Sequence, residues 1–256
     1  MHKIRGLGMI FFTLWAVSCG QAPETEPLTV AVAANAQFAM VEIEAAFEAQ
    51  TGIAVEVITG SSGKLSAQIR QGAPYDVFVS ADTKYPEYLF REGKGAEAPR
   101  TYAFGALVLW TLKDLDISKG PALLADPAIQ KIGIPNPQTA PYGEQAMRVL
   151  EHYQLVESVR DRLVFGESIA QANQYILSGA CELGFTAKSV VMAPDLRGKG
   201  KWIELDKSAY RPIAQAALLT GYGRERHPHE SRQFYDYLFS PQGRAIFQKF
   251  GYELPE

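Results

Sequence analysis

The chain has few of the residues that carry covalent or metal chemistry. Its 256 residues include two cysteines and four histidines. His227 and His229 lie close together, but no acidic or cysteine ligand stands at a recognisable metal-site spacing. A solvated loop is therefore predicted there. A Gly-x-Ser-x-Gly elbow and a complete phosphate-binding loop are also missing, which disfavours a hydrolase and a nucleotide-binding protein.

An excess of positive charge is also missing. The formal net charge is −3, from 25 basic and 28 acidic residues. A nucleic-acid partner would require a basic face, so none is predicted. Hydrophobic residues make up 47% of the chain and charged residues 21%, which fits one large globular domain or two smaller ones.

Residues 7–17 form a long apolar run directly after a charged start that contains Lys3 and Arg5. This run is too short for a permanent membrane-spanning helix and predicts a secretory signal. It ends in AVSCG, which resembles the cleavage box of bacterial lipoproteins and implies cleavage before Cys19 and lipidation of that cysteine. An ordinary secretory signal that is cut nearby is the alternative.

The lipoprotein interpretation divides the start of the chain into residues 1–18 as signal peptide and residues 19–27 as a tether. The tether is suggested by its prolines and glutamates. If Cys19 carries lipid, Cys181 has no cysteine partner, and we expect no disulfide. Cys181 stands beside a predicted strand and is expected to be a small buried residue.

From Leu28 onward, apolar strand patterns alternate with helical ones. This order predicts an α/β fold with mainly parallel sheets flanked by helices. Apolar segments at 104–112 and 214–220 are interpreted as crossings between two lobes. Lobe 1 is then predicted to comprise residues 28–104 with 214–256, and lobe 2 residues 105–213, with a ligand cleft between them.

One strand-to-helix turn has a composition suited to an anion. Residues 60–65 read GSSGKL and lie between an alternating strand pattern and a helical one. Small residues leave backbone N–H groups unobstructed at a helix N-terminus, and Ser61 and Ser62 add hydroxyl groups. A serine that merely caps the helix is the alternative. Similar turns at Asn35, Tyr142 and Ile169 are expected to face the same cleft.

The four candidate positions, Asn35, Ser62, Tyr142 and Ile169, carry no charge. Such a set suits a fully deprotonated tetrahedral dianion, which presents only hydrogen-bond acceptors, and it argues against phosphate, which retains a proton. Sulfate, also an all-acceptor dianion, is not excluded. Nearby charged residues are interpreted as capping, turn or solvent-facing groups: Asp76, Asp82 and Lys64.

Several segments, in this order and spacing, resemble the periplasmic molybdate-binding proteins of bacterial ABC importers. They are VAVAAN at 30–35, GSSGKL at 60–65, DVFVSAD at 76–82, FYDYL at 234–238 and SPQG at 240–243. The resemblance spans nearly all of residues 28–252. It implies a type II periplasmic-binding-protein fold with a hinged cleft, and a monomer that binds molybdate and tungstate and delivers them to an ABC permease.

The resemblance also implies roles for individual residues. Asn35 would donate through its side-chain amide or backbone N–H, and Ser62 through its hydroxyl and backbone. Tyr142 would offer its backbone N–H and hydroxyl, and Ile169 a backbone N–H. Further candidates are Ala34 and Ser61. Ala187 departs from the family, because some members place a tyrosine hydroxyl there.

The same resemblance implies a protein without catalytic residues or cofactor, on the periplasmic side of a bacterial membrane and held there by its lipid. Three alternatives stay open. One is the same scaffold binding sulfate or another small oxyanion. The second is a periplasmic hydrolase, and the third is a sensor that presents its ligand-bound form to a membrane receptor.

Overall fold

The computed structural model describes residues 26–256. The predicted signal peptide, Cys19 and most of the predicted tether lie outside these residues. At the start of the described part, Glu26 Oε2 lies 3.0 Å from Arg226 Nη2. The first strand begins two residues later, at Leu28.

Ten strands within residues 26–256 form two five-stranded sheets. They are β1 (Leu28–Ala33), β2 (Val55–Gly60), β3 (Val77–Val79), β4 (Arg100–Gly105), β5 (Leu107–Thr111), β6 (Ile132–Pro135), β7 (Leu163–Gly166), β8 (Leu183–Ala187), β9 (Lys201–Glu204) and β10 (Ile213–Leu219). The first sheet has the order β2-β1-β3-β10-β4, and the second has the order β7-β6-β8-β5-β9.

Helices in the same residues cover the sheets. They are α1 (Gln37–Thr51), α2 (Ser62–Arg70), α3 (Lys84–Arg91), α4 (Pro141–His152), α5 (Val156–Val159), α6 (Ile169–Leu177), α7 (Lys188–Val191), α8 (Gly221–Arg226), α9 (Pro228–Tyr237) and α10 (Pro241–Lys249). Short 3-10 helices lie at Ala34–Ala36, Ile117–Ala125, Arg160–Arg162 and Lys207–Ala209.

Strand directions confirm the α/β class with mainly parallel sheets. In the first sheet β1 pairs in parallel with β2 and β3, whereas β10 pairs antiparallel with β3 and β4. In the second sheet β6 pairs in parallel with β7 and β8, whereas β5 pairs antiparallel with β8 and β9. Each sheet therefore has one strand, β10 or β5, that opposes the other four.

The chain passes between the sheets twice, and both opposing strands lie at these crossings. β4 belongs to the first sheet and ends at Gly105, and β5 begins the second sheet at Leu107. The single crossing strand expected over 104–112 is thus two strands separated by Ala106. β10 is the return, and it places the last three helices against the first sheet.

The core follows the central strands. β5 is buried at every position, as expected for a strand covered on both faces, and its Trp110 is fully buried. The first sheet packs aromatic residues from the C-terminal helices against α1, where the Phe47 and Phe234 rings meet edge to face with centroids 5.1 Å apart. No helix within residues 26–256 is both long and apolar enough to cross a membrane.

One strand was not predicted, and one local expectation was wrong. The short strand β9 was missed, because its sequence KWIE carries a charge at each end and has little apolar pattern. The solvated loop expected at His227 is a packed connection between α8 and α9. His227 Nδ1 lies 2.9 Å from Asp76 Oδ1, and the Asp76 carboxylate also accepts the Thr29 N–H at 2.8 Å.

Candidate functional site

Four helix starts meet between the two sheets. Asn35 lies in the 3-10 turn that leads into α1, and Ser62 begins α2, after the neighbouring strands β1 and β2. Tyr142 and Ile169 lie in the first turns of α4 and α6, after the neighbouring strands β6 and β7. Turns at the carboxyl ends of adjacent parallel strands share one edge of the sheet. All four residues line one cavity, together with Ala34 and Ser61.

The cavity is small and uncharged. The volume that the centre of a water-sized sphere can reach is about 10 Å³, so in this closed state the cavity encloses at most one small solute. Its other lining residues are Ala33, Gly60, Ala81, Ala140 and Pro141. Among residues 26–256, neither a carboxylate nor a basic side chain lines the cavity, so its polarity comes from backbone and hydroxyl groups.

Backbone donors face this cavity because of where the helices begin. Ser62, Tyr142 and Ile169 are first-turn residues, whose N–H groups have no acceptor within their own helix. Elsewhere within residues 26–256 these three N–H groups find no acceptor either. The dipoles of the helices add partial positive charge at the same place. The arrangement favours a ligand that accepts hydrogen bonds.

The two serines of the α2 turn have different environments. The Ser62 hydroxyl oxygen accepts the Ala81 N–H at 3.0 Å, which leaves its proton to be donated elsewhere. Ser61 is the N-cap of α2, yet its side chain makes no capping hydrogen bond. Its hydroxyl is buried, lines the cavity and has no hydrogen-bond partner among residues 26–256. The capping interpretation of this serine is therefore wrong.

The side chains of Asn35 and Tyr142 bond other residues of the protein, so they are not free to serve only a ligand. The Asn35 amide donates to Gln215 Oε1 at 2.8 Å and to the Tyr252 hydroxyl at 3.0 Å. The Tyr142 hydroxyl accepts from Gln215 Nε2 at 3.1 Å and lies close against Gly105, at the end of β4. Both side chains therefore bond Gln215 on the crossing strand β10. Their backbone N–H groups remain available to a ligand.

Gln215 was missed by the sequence analysis, although it connects both halves of the site. It is fully buried on β10, at a register shift in the pairing with β4. Its amide bonds Asn35 in one lobe and Tyr142 in the other, and its Oε1 also accepts the Tyr102 hydroxyl at 2.8 Å. A glutamine inside an apolar, small-residue segment was the available signal, since a buried amide requires partners.

Hydroxyl groups around the site stay protonated. Burial raises the pKa of Tyr142 and of Tyr102 well above the usual value, and it raises the pKa of Tyr252 to about 12. The Tyr252 hydroxyl donates to the Asn35 carbonyl at 3.1 Å, and so does Ser189 Oγ at 2.8 Å. The Asn35 turn is thereby held from both lobes, because Ser189 lies in α7.

The acidic residue next to the cavity wall, Asp82, accepts hydrogen bonds from neighbouring residues of the protein. Asp82 comes directly after Ala81, and its Oδ1 accepts Ser80 Oγ at 2.9 Å and the Tyr85 N–H at 3.2 Å. Burial raises the pKa of Asp82 to about 6. Its expected role as a capping group is what the structure shows. Ala187, at the end of β8, is buried but does not line the cavity.

The lobes touch beside the cavity. The Gly63 N–H donates to the Thr139 carbonyl at 2.9 Å, and the Tyr85 hydroxyl donates to the Gln138 carbonyl at 3.1 Å. Lys64 Nζ lies 2.6 Å from Glu167 Oε1. Lys64 was expected to face solvent; it is half exposed and reaches the opposite lobe. The described state is therefore one in which the lobes are closed.

The protein has two α/β lobes joined by crossing strands, with one small cavity of hydrogen-bond donors between them. These features define the class of two-lobed binding proteins that enclose a small solute. Residues 28–253 match the family model described as bacterial extracellular solute-binding protein, and the chain belongs to this family.

Individual relatives agree with this assignment. The chain is 37% identical over 234 residues to the molybdate-binding protein ModA of Azotobacter vinelandii, covering 91% of this chain and 92% of that protein. It is 36% identical over 224 residues to ModA of Rhodobacter capsulatus, covering 87% and 86%. The solved periplasmic molybdate-binding protein of Azotobacter vinelandii superposes with a TM-score of 0.85, over 90% of this chain and 100% of that one. The resemblance inferred from the motifs is confirmed.

Proposed function

We propose that the protein captures molybdate outside the cytoplasm and delivers it to an ABC import permease. The observation that carries this proposal is the meeting of four uncharged helix starts around one small cavity, which contains a serine hydroxyl with no hydrogen-bond partner in the described part of the chain. The relatives named above, whose names state molybdate binding, support the choice of ligand.

The chemistry of the donor set matches such an ion. Molybdate at neutral pH is a tetrahedral dianion whose four oxygens all accept hydrogen bonds. Burying it is costly unless donors replace water. Backbone N–H groups at Ser62, Tyr142 and Ile169 and the hydroxyls of Ser61 and Ser62 supply donors, with partial positive charge from the helix starts. A carboxylate against the ion would oppose binding, and none of the residues described in the structure places one in the cavity wall.

Tungstate has the same shape and charge, and we propose it as a second ligand of the same site. Sulfate is the competing candidate, because it is also an all-acceptor dianion. The donor chemistry alone does not separate these ions, so the distinction rests on the separation of the lobes when they are closed.

Delivery of the anion to the permease depends on closure of the two lobes. A permease can distinguish the loaded protein because closed lobes present a surface that open lobes do not. We propose that the protein acts as a monomer by binding rather than by catalysis, and that a lipid on Cys19 keeps it at the periplasmic side of the membrane. Mass spectrometry of the mature protein tests the anchor: the N-terminus should be Cys19 carrying lipid, and any other N-terminus contradicts it.

Calorimetric titration of residues 20–256 with molybdate, tungstate, sulfate and phosphate tests the ligand. We expect one site, tight binding of the first two ions and far weaker binding of the others. Comparable sulfate binding would make the protein a general oxyanion carrier. Absence of heat and of thermal stabilisation with all four ions would refute the proposed ligand class.

A further inference from the structure

We propose that the main-chain contact between Gly63 and Thr139 is the stop that fixes how closely the lobes approach, and so sets the size of the anion that the cavity accepts. This inference rests on the proposed function, and it names residues that do not touch the ligand. Gly63 directly follows Ser62 in α2, and Thr139 directly precedes Ala140, the N-cap of α4.

The contact joins two donor turns from opposite lobes. The Gly63 N–H donates to the Thr139 carbonyl at 2.9 Å. One residue before Gly63 is the Ser62 donor, and three residues after Thr139 is the Tyr142 donor. A change in the distance between Gly63 and Thr139 therefore changes the distance between donors on opposite walls of the cavity.

A side chain at position 63 would be crowded in this closed state. A Cβ added to Gly63 would lie 3.0 Å from the Thr139 carbonyl oxygen, 3.0 Å from the Thr139 Cα and 2.7 Å from the Tyr85 hydroxyl. Backbone conformation does not require a glycine at position 63, because the residue is helical and its φ is not positive. Two constraints remain: the Thr139 main chain in the opposite lobe and the Tyr85 hydroxyl in the same lobe.

Hydrogen bonds within its own lobe hold the backbone of Thr139 in place. The Thr139 and Ala140 N–H groups both donate to the Asn136 carbonyl, at 3.2 and 2.8 Å, and the Asn136 N–H donates to Gly166 at 2.7 Å. The Asn136 side chain also accepts the Gln138 N–H at 2.9 Å. The turn is tied to its own sheet, so relief of a clash with Gly63 would come from separation of the lobes.

Neighbouring contacts are too adaptable to act as the stop. The ion pair between Lys64 and Glu167 joins flexible side chains that are 52% and 62% exposed. Pairs of this kind contribute little and adjust their geometry readily. The Tyr85 hydroxyl is the far end of a side chain. Only the Gly63 contact is made by main chain on both sides, among these three contacts.

The test is Gly63→Ala, with Gly221→Ala as the matched control. Gly221 also stands in the first turn of a helix, and a Cβ there would meet its nearest neighbour, the Lys94 carbonyl oxygen, at an ordinary 3.6 Å. Molybdate and chromate, which at pH 8 is a smaller dianion of the same shape, are titrated at that pH by calorimetry into residues 20–256 of each variant. Thermal unfolding without ligand reports whether each variant folds.

We expect Gly63→Ala to fold at least as stably as the wild type, because alanine has the higher helix propensity. Its molybdate affinity should fall about tenfold or more, since overpacking would hold the lobes apart. Chromate should lose more than molybdate, so the molybdate-to-chromate affinity ratio should rise. Gly221→Ala should bind within about twofold of the wild type.

Opposite results overturn the proposal. Gly63→Ala binding like the wild type, or a ratio that stays the same or falls, would remove Gly63 as the stop. A double variant, Gly63→Ala with Tyr85→Phe, separates the effects of the two neighbours of position 63. Its molybdate affinity should still be lower than that of Tyr85→Phe alone. Full recovery of affinity would assign the effect to Tyr85. Absence of anion binding by the wild type would refute the proposed function instead.

Discussion

Ser61→Ala should separate ligand binding from folding, because the Ser61 hydroxyl has no hydrogen-bond partner among residues 26–256. The hydroxyl is buried in the cavity wall and makes neither a capping bond nor any other hydrogen bond among residues 26–256. A buried hydroxyl without a partner costs about 1–3 kcal/mol, and a bound oxyanion would remove that cost by accepting its proton. Deleting the hydroxyl removes the unpaired group from the free protein and a donor from the complex.

The expected result has two parts. Molybdate affinity of Ser61→Ala should fall by about 1–3 kcal/mol, or roughly 5- to 150-fold, by calorimetry. The free energy of unfolding without ligand, from urea titration, should stay unchanged or rise by up to about 1 kcal/mol. A loss of affinity without a loss of stability is what a donor reserved for the ligand predicts.

Ser62→Ala is the matched comparison. The Ser62 hydroxyl accepts the buried Ala81 N–H at 3.0 Å, so its removal leaves that N–H unpaired. This variant should lose affinity and should also lose about 1–2 kcal/mol of stability without ligand. If Ser61→Ala binds molybdate as the wild type does, or destabilises the free protein as much as Ser62→Ala, the Ser61 hydroxyl is not a ligand donor.

Three further predictions concern charged groups. Burial raises the pKa of Asp82 to about 6, above that of an unfolded aspartate, so this group lowers stability as the pH rises from about 4 to about 6. Asp82→Asn should therefore stabilise the protein by about 1–3 kcal/mol at pH 8 and flatten the pH profile from urea titrations, and parallel profiles would contradict this. Asp76→Asn removes the partner of His227 at the amino end of β3, away from the cavity; it should cost about 2–4 kcal/mol of stability and leave molybdate affinity unchanged by calorimetry, whereas a large affinity loss would be inconsistent. Lys64→Gln breaks an exposed ion pair with Glu167, so affinity at physiological salt should change less than about threefold, and a larger change there would give this pair a role that its exposure does not support.

Local sequence signals predicted the parts of the site that depend on local structure. A strand pattern, a turn of small residues and a helical pattern define the start of a helix, and the starts at Ser62 and Ile169 fall where these signals place them. Parallel strands bring such turns to one edge of a sheet, so the convergence of turns within each lobe also followed from the alternating pattern. These inferences need only neighbouring residues.

Long-range pairing was not predictable in the same way. The partner of Asn35 is 180 residues away at Gln215, and the partner of Asp76 is 151 residues away at His227. Both pairs depend on the return of the chain through β10, which places the last segment against the first sheet. A pattern of polarity along the chain indicates that a buried amide requires a partner, but it does not indicate which one.

The position of Gln215 explains why a side chain distant from the ligand can influence binding. A binding protein that closes by a hinge needs the donors of both lobes to reach their places together. The Gln215 amide lies on a crossing strand and bonds the Asn35 turn through its oxygen and the Tyr142 hydroxyl through its nitrogen. In this closed state α4 lies against the first lobe and both bonds are present. We expect the bonds that position the donors to form in the same movement that encloses the anion, which would couple hinge closure to site assembly.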